Sequence, residues 1–332
     1  MSDHASGLFP AVDSPDLGIA GRVSAALATS VRGRSFGRVG ELGAWIAACR
    51  GEDVPTPFAR PHALIFAGDH GVARRGVSAH SPASGPAQVA EAAAGGGPVN
   101  VAARSAGCAV RLVDDWLDAP TGSIDVEDAM TPEQFEAALA RGRELADQEV
   151  DAGTDLIVPG DIGVGNTTVA AAVFGALTGT EPVAAVGRGS GINDNVWKVK
   201  TAAVRDAMFR VRGFRGDVPR VLASISAADF VALVGLIAQA AARRTPLLID
   251  GPYTTVAAYV AERLAPGTRH WLAAAQLSAE PCQQVCLKAL DLTPLMALDM
   301  ATGQGAGALM ALPLLNSAAE MVGDEVASLR AD

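Results

Sequence analysis

Residues 160–168 read GDIGVGNTT, directly after the apolar run 156–159 and before the alanine-rich stretch 169–177. A strand that passes through glycines into a helix makes an anion site. Gly163 and Gly165 let the backbone turn tightly and approach a ligand, and Asn166, Thr167 and Thr168 are expected to cap the helix beside its positive end. Phosphate is the guest this chemistry favours. The pattern lacks the Gly-Lys-Ser/Thr of a Walker loop and is not a clean dinucleotide fingerprint; a tight strand-to-helix turn would also use these residues.

A second loop adds weight. Residues 182–186 predict another short strand, which runs into GRGSG at 187–191. Two glycine loops at one sheet edge imply one site, with Gly187 and Gly189 allowing close approach. Arg188 could pair with a phosphate or hold the loop through a carboxylate, and Ser190 could donate to either. Lys200, in the helix expected next, offers a second cation.

Three further segments carry polar groups to strand ends. AGDHGVARRGVSAHS at 67–81 places Asp69, His70, Ser78 and His80 after a strand. Asp69 and His70 could form a charged pair, or Asp69 could tie down its loop; His80 is the freer group for contacting a ring. Asp250 ends another strand, where its carboxylate could order loops or meet a ligand hydroxyl. Ser278 could reach a phosphate or cap the next helix. The last loop, DMATGQGAGALM at 299–310, sets Gln304 between Gly303 and Gly305. Glutamine can orient a substrate, but it cannot take a proton at neutral pH. Cys282 and Cys286 stand at i, i+4, yet no histidine lies near them in sequence, and packing thiols are expected rather than a metal site.

These loops need a scaffold. Short apolar runs at 63–66, 109–113, 156–158, 183–186, 247–249 and 271–274 alternate with alanine-rich helical stretches, which predicts an α/β fold with a doubly wound, mainly parallel sheet. Residues 1–55 read as helical (19–27 and 39–49 especially), and 313–332 read as a helix packing with them. The expected division is therefore a nucleotide-binding α/β core at 60–312 and a smaller helical domain from the chain ends. Thr131, Pro132 and Gln134 announce a capped amphipathic helix over 131–152, and 229–243 predicts a buried one.

The chain has 332 residues, 49% of them apolar, and a net charge of −10, so a large core can form and nucleic acid is not expected as a partner. Apolar stretches are broken before membrane-spanning length and four scattered cysteines give no disulfide framework, so a cytoplasmic protein without metal or cofactor is expected.

Taken in order, these segments resemble the nicotinate-nucleotide:dimethylbenzimidazole phosphoribosyltransferase (CobT) family over residues 66–317. GDHGVARRGVSAHS is similar to its DHGV-x3-GVSA segment, GGGPVNVAARSAG to GG-x-A-I-N-V-x-A-R-x-x-G, GDIGVGNTT to GEMGIGNTT, and GRGSGINDNVWKVK to GRGTG-x-D-D with its trailing lysine; LLIDGPYTTVAA, LSAEP and the Gln304 loop follow in the family's order. The resemblance implies transfer of 5-phosphoribose from nicotinate mononucleotide to a benzimidazole nitrogen, by a homodimer with a doubly wound sheet. It also implies that Gly163, Gly165, Asn166, Thr167, Gly187, Gly189, Lys200 and Ser278 bind the nucleotide, and that Ser78, His80 and Gln88 lie near the acceptor ring.

The departures carry information too. The family's LGEGTGAA loop has a glutamate acting as general base on the azole N–H; Gln304 stands there. Ala301 replaces an arginine, Asp161 the glutamate of GEMGIGNTT, Gln283 a histidine after SAEP, and SAADFVALVG stands for GGFEIAAMAG. Loss of a positioned base costs on the order of a hundred- to ten-thousand-fold in rate. Either Asp161 takes the proton, or the acceptor needs no base there, or the chain is a non-catalytic nucleotide-binding homologue or partner subunit. A transferase with an altered acceptor or relocated base is the leading expectation. A nicotinamide-dependent dehydrogenase would need a GxGxxG loop after the first strand, which is not evident.

Overall fold

The computed structural model describes residues 8–331. Local rules set the helix ends at the start of the chain. The Asp16 carboxylate accepts the Ile19 N–H at the head of α1 (Leu17–Thr29), the Ser30 hydroxyl accepts the Gly33 N–H in α2 (Val31–Arg34), and α3 (Arg38–Arg50) ends at a left-handed Gly51. There follow β1 (Pro61–Gly68), α4 (Ser84–Ala93), α5 (Gly97–Ala106), β2 (Ala109–Trp116), α6 (Pro132–Asp151) and β3 (Leu156–Ile162). At α6, Thr131 and Gln134 exchange the two hydrogen bonds of a capping box, as their spacing predicts. Next come α7 (Asn166–Thr178), α8 (Pro182–Ala185), α9 (Asp194–Arg210), α10 (Val218–Ile225), α11 (Ala228–Ala242), β4 (Leu247–Ile249), α12 (Gly251–Leu264) and β5 (Leu272–Ala274). The chain closes with β6 (Gln276–Leu277), α13 (Pro281–Ala289), β7 (Met296–Ala297) and α14 (Ala306–Ala331).

Five strands form one parallel sheet in the order β2-β1-β3-β4-β5, and β6 and β7 make a small parallel pair beside it. Because side chains alternate along a strand, each central strand feeds two cores. Leu64, Phe66, Ile157, Leu247 and Ile249 point into the layer of α6, α7, α11 and α12. Ala63, Ile65, Ala67, Leu156, Val158 and Leu248 point into the opposite layer, with α4, α5 and the first half of α14. Near-continuous apolar strands are thus explained by burial on both faces, and the sheet is the doubly wound parallel one expected. A third cluster joins Ile19, Val23 and Leu27 of α1, Ala44 and Ala47 of α3, and Val322 and Val326 of α14, so helices from the two chain ends pack together.

Two readings change. Residues 182–186 are not a strand: Pro182 takes the first-turn position of α8, with its fixed φ and missing N–H, and Val186 turns the chain out into the glycine loop. The C-terminal helix starts at 306 rather than 313 and runs through Pro313, so the division expected at 312/313 lies inside it. An interior proline costs about 3 kcal/mol, which burial of Leu309, Leu312 and Leu315 against the sheet outweighs. By length and hydropathy α14 could cross a membrane, but 61% of its most apolar window is buried inside the fold, as in a core helix.

Glu149 of α6 sits buried at the amino ends of the strands. Burial pushes its carboxyl up, but hydrogen bonds from His62, Arg111 and Thr154 outweigh that and hold it at about 2. A carboxyl lowered on folding stabilises above its unfolded value and loses that contribution as pH falls through the folded one. Thermal melts should therefore show wild type losing stability between about pH 4.5 and 2, with a smaller loss in Glu149→Gln, which melts several degrees lower at pH 7.

Candidate active site

In a sheet of this order the chain leaves β1 for one face and β3 for the other, opening a crevice at their carboxyl ends. The chain after β1 reaches α4 and α5 on the Ile65 side, and the chain after β3 enters α7 on the Phe66 side. A cleft opens there, lined from both sides of the switch point by loops after β1, β3 and β4.

The 163–167 cradle forms its floor. Gly165, at φ 104°, is the cap of α7, a conformation open to glycine at no steric cost. The side-chain cap expected of Asn166, Thr167 or Thr168 is not made. Asn166 is already the first helical residue, its Nδ2 donates to Asp161 Oδ2 at 2.6 Å, and the Thr168 hydroxyl is buried without a partner. Gly165, Asn166 and Thr167 at the head of α7 line the cleft, where a helix start offers unbonded N–H groups to an anion.

The second loop reaches the same cleft, led there by α8 rather than a strand. Gly189 and Ser190 line it, and Ser190 Oγ accepts the Ala79 N–H at 3.2 Å and lies 3.2 Å from Ser78 Oγ. The loops after β1 and after α8 thus meet above the floor, bringing Ser78, His80 and Gln88 to one wall. Arg188 does not line the cleft. Its guanidinium binds the Ile192 carbonyl and the Asp194 carboxylate, so it holds the loop, the second of the two roles open to it. Gly187 and Lys200 lie behind the lining. Lys200 Nζ donates to Thr167 Oγ1 at 2.7 Å and reaches the Gly187 carbonyl at 3.5 Å, stitching the two glycine loops together. Burial lowers its pKa, and nearby Glu280 partly offsets that.

Carboxylates supply the rest. Asp161 reaches the cleft from β3; burial pushes its carboxyl up to about 6, Asp250 and Asp229 add to the rise, and the Asn166 hydrogen bond opposes it. Asp250 lines the cleft from the end of β4 and is also pushed up to about 6 by burial, while its Oδ2 accepts the Gly307 N–H at 2.8 Å. Asp250 thereby caps α14 from another strand. Ser278 lines the cleft and its Oγ donates to Gln283 Oε1 while accepting the Glu280 N–H, ordering the turn into α13.

Gln304 turns away from the cleft. Its φ is 61°, its Oε1 accepts the Val99 N–H at the head of α5 at 3.3 Å, and its Nε2 donates to Gln88 Oε1 at 3.2 Å. Of its neighbours, Gly303 lines the cleft, whereas Gly305 lies against Gly160 at the end of β3. The loop is thus a support for Gln88 and α5.

Two features escaped the sequence reading. His70, Asp229 and Tyr253 form a buried cluster under Gly165: Asp229 Oδ1 lies 3.0 Å from His70 Nε2, and the Tyr253 hydroxyl donates to Asp229 Oδ2 at 2.8 Å. Burial opposes charge on His70, but Asp229 outweighs it and raises the imidazole. Glu280 also lines the cleft, its Oε1 accepting the Gly189 N–H at 2.6 Å. The only signal for it was a carboxylate just before the proline that opens α13. Among the described residues no cluster of metal-ligating side chains occurs, and Cys282 and Cys286 are buried free thiols pushed upward by burial, Cys282 to about 12.

A parallel sheet carrying a glycine cradle, a buried lysine and raised carboxyls at its carboxyl edge defines an α/β enzyme that handles a phosphorylated small molecule. The family model DBI_PRT, described as phosphoribosyltransferase, matches residues 12–330, and the chain belongs to this family. It is 49% identical over 301 residues to the nicotinate-nucleotide–dimethylbenzimidazole phosphoribosyltransferase of Corynebacterium glutamicum, covering 87% of this chain and 84% of that one. To the enzyme of the same name from Mycobacterium avium it is 47% identical over 325 residues, 93% of each. The crystal structure of CobT from Thermus thermophilus matches with a TM-score of 0.87 at 34% identity, covering 92% of this chain and 96% of that one.

Asp250→Ala removes the acceptor for the Gly307 N–H at a buried helix start, and should destabilise the protein by about 1–3 kcal/mol. Urea unfolding followed by circular dichroism measures this; an unchanged midpoint would show that α14 needs no cap from β4.

Proposed function

We propose that this chain transfers 5-phosphoribose from nicotinate mononucleotide to a ring nitrogen of a benzimidazole-type base, releasing nicotinate and giving an α-riboside 5′-phosphate. The observation that carries the proposal is the position of Asp161, a carboxylate with a raised pKa in the cleft beside the glycine cradle, while Gln304 faces α5.

The 5′-phosphate takes the N–H groups at the head of α7 and the Thr167 and Ser190 hydroxyls, with Lys200 behind Thr167. A bound phosphate favours the charged ammonium, against the effect of burial. Fixing the phosphate positions the sugar carbon for displacement, a contribution of orientation rather than of acid catalysis. The bond from C1 to the pyridinium nitrogen breaks with its electron pair leaving on nicotinate, which neutralises the ring, so the leaving group needs no proton. The incoming nitrogen forms its bond from the opposite face, and the proton on the other azole nitrogen passes to the Asp161 carboxylate. A base with a pKa near the working pH suits this task. Gln88 and Ser78 flank the acceptor ring, and Gln304 holds Gln88.

The resemblance also supports a homodimer, and Val101 of α5 with Met310 and Leu314 of α14 are exposed apolar groups available for such an interface. The cytoplasm is the compartment proposed.

Nicotinate release from nicotinate mononucleotide and 5,6-dimethylbenzimidazole, followed by chromatography, tests the reading. Asp161→Asn should lose about a hundred- to ten-thousand-fold in kcat, and Gln304→Glu should change it less than about tenfold. Because Asp161 must be ionised to accept the proton and titrates at about 6, wild-type kcat should fall about tenfold per unit below pH 6 and level off above it. If Asp161→Asn stays fully active and only Gln304→Glu gains activity, the base has not moved. If nothing turns over while nicotinate mononucleotide raises the melting temperature, the chain is a binding homologue.

A further inference from the structure

Three residues that line this one cleft each carry a buried acceptor oxygen without a hydrogen-bond partner: Asn166 Oδ1, Asp250 Oδ1 and Glu280 Oε2. The assignment at Asn166 follows from its Nδ2 donating to Asp161. A buried acceptor left unmade costs about 1–3 kcal/mol, so three at one place call for a ligand that brings donors. A phosphate and a carboxylate bring only acceptors at neutral pH. In a pyridine nucleotide of the kind proposed above, the ribose 2′- and 3′-hydroxyls are the donors.

Glu280 is the best placed of the three. It is 3% exposed and reaches the second glycine loop, where its Oε1 accepts the Gly189 N–H at 2.6 Å. Gly187 passes so close that a Cβ there would collide with both carboxylate oxygens, so the loop is shaped around the carboxylate. Holding the loop uses one oxygen, and a neutral amide oxygen would serve as well. The second oxygen is unexplained by packing. The carboxylate charge helps keep the buried Lys200 ammonium charged, but that field effect needs no hydrogen bond and leaves the second oxygen without a partner. Rotation about the terminal bond of a glutamate is soft and moves both oxygens together, so a small turn of the carboxylate carries the second oxygen toward the cleft without movement of α13.

We propose that Glu280 reads the ribose diol of the nucleotide, its second carboxylate oxygen accepting a hydroxyl hydrogen, and so sets a preference for ribo- over deoxyribonucleotides. This rests on the nucleotide reading above. Glu280→Gln is the informative change, because an amide keeps an oxygen for the Gly189 N–H and exchanges the free acceptor for a donor.

Calorimetric titration of the whole protein with nicotinate mononucleotide and its 2′-deoxy and 3′-deoxy analogues, for wild type and Glu280→Gln, tests it without turnover. Wild type should bind the ribonucleotide about ten- to a hundredfold more tightly than at least one deoxy analogue, the usual loss for a hydrogen bond to a charged group. In Glu280→Gln that ratio should fall to within about threefold. A ratio that survives in Glu280→Gln, or a wild type that does not discriminate, overturns the proposal. Glu280→Asp, with a carboxylate drawn back by one methylene, supplies the same comparison should the glutamine variant not fold. Binding of none of the three nucleotides to wild type would overturn the proposed function itself, and is distinct from equal binding of all three.

Discussion

The site depends on one crossing of the backbone. The loop between β7 and α14 passes over the end of β3 so closely that a Cβ on Gly160 would lie 2.6 Å from the Gly305 nitrogen, and Gln304 N–H donates to the Asp161 carbonyl in the same place. No Cβ fits on Gly160 there, and on the crossing segment Gln304 and Gly305 both take positive φ, a conformation that suits the glycine. This contact aims the Asp161 side chain into the cleft, sends the Gln304 side chain to α5, and starts α14 where Asp250 can cap it. Three separate polar groups, Asp161, Gln304 and Asp250, meet at this one crossing.

Around that crossing the fold concentrates charge it could have avoided. Asp161, Asp250, Glu280, Lys200 and the His70–Asp229 pair all lie at the carboxyl edge of one apolar sheet. Burying charge is costly unless it is paired or satisfied. Here some groups are paired, as Lys200 is with the Thr167 hydroxyl, and others are left short of partners. The amino edge is organised differently: Glu149 has His62, Arg111 and Thr154 around it and nothing left over. Full satisfaction at one end and open valences at the other distinguish support from function within the same sheet.

Much of this was legible in the sequence. Apolar runs marked all five strands of the central sheet, at 63–66, 109–113, 156–158, 247–249 and 271–274, the inner ones because double burial leaves a near-continuous Val/Ile/Leu/Ala signature. The Thr131 capping box and the buried helix at 228–242 followed from local chemistry and composition. The failures have common physical causes. Residues 182–185 are apolar and short, and such a run reads equally well as strand or helix until Pro182 is placed at a helix start. Arg188 was open to a phosphate or to a carboxylate holding the loop, and the choice turned on Asp194, six residues on in its own chain. Glu280 and the His70–Asp229–Tyr253 cluster were out of reach because their partners lie far off in sequence. Most of the polar groups assigned to the site do line one cleft, which loop position at strand ends made foreseeable; where each side chain points was not.

Helix α14 has a consequence for how the chain comes to be folded at all. It supplies part of the layer over one face of the sheet, and its far half closes against α1 and α3 at the opposite end of the chain. During synthesis every strand of the sheet emerges before α14, so Ile65, Val158 and Leu248 wait with that face incompletely covered until the helix has followed them out of the ribosome. The nascent protein is therefore an unsealed sheet for much of its synthesis, the situation in which exposed apolar surface invites association with chaperones or with other unfinished chains.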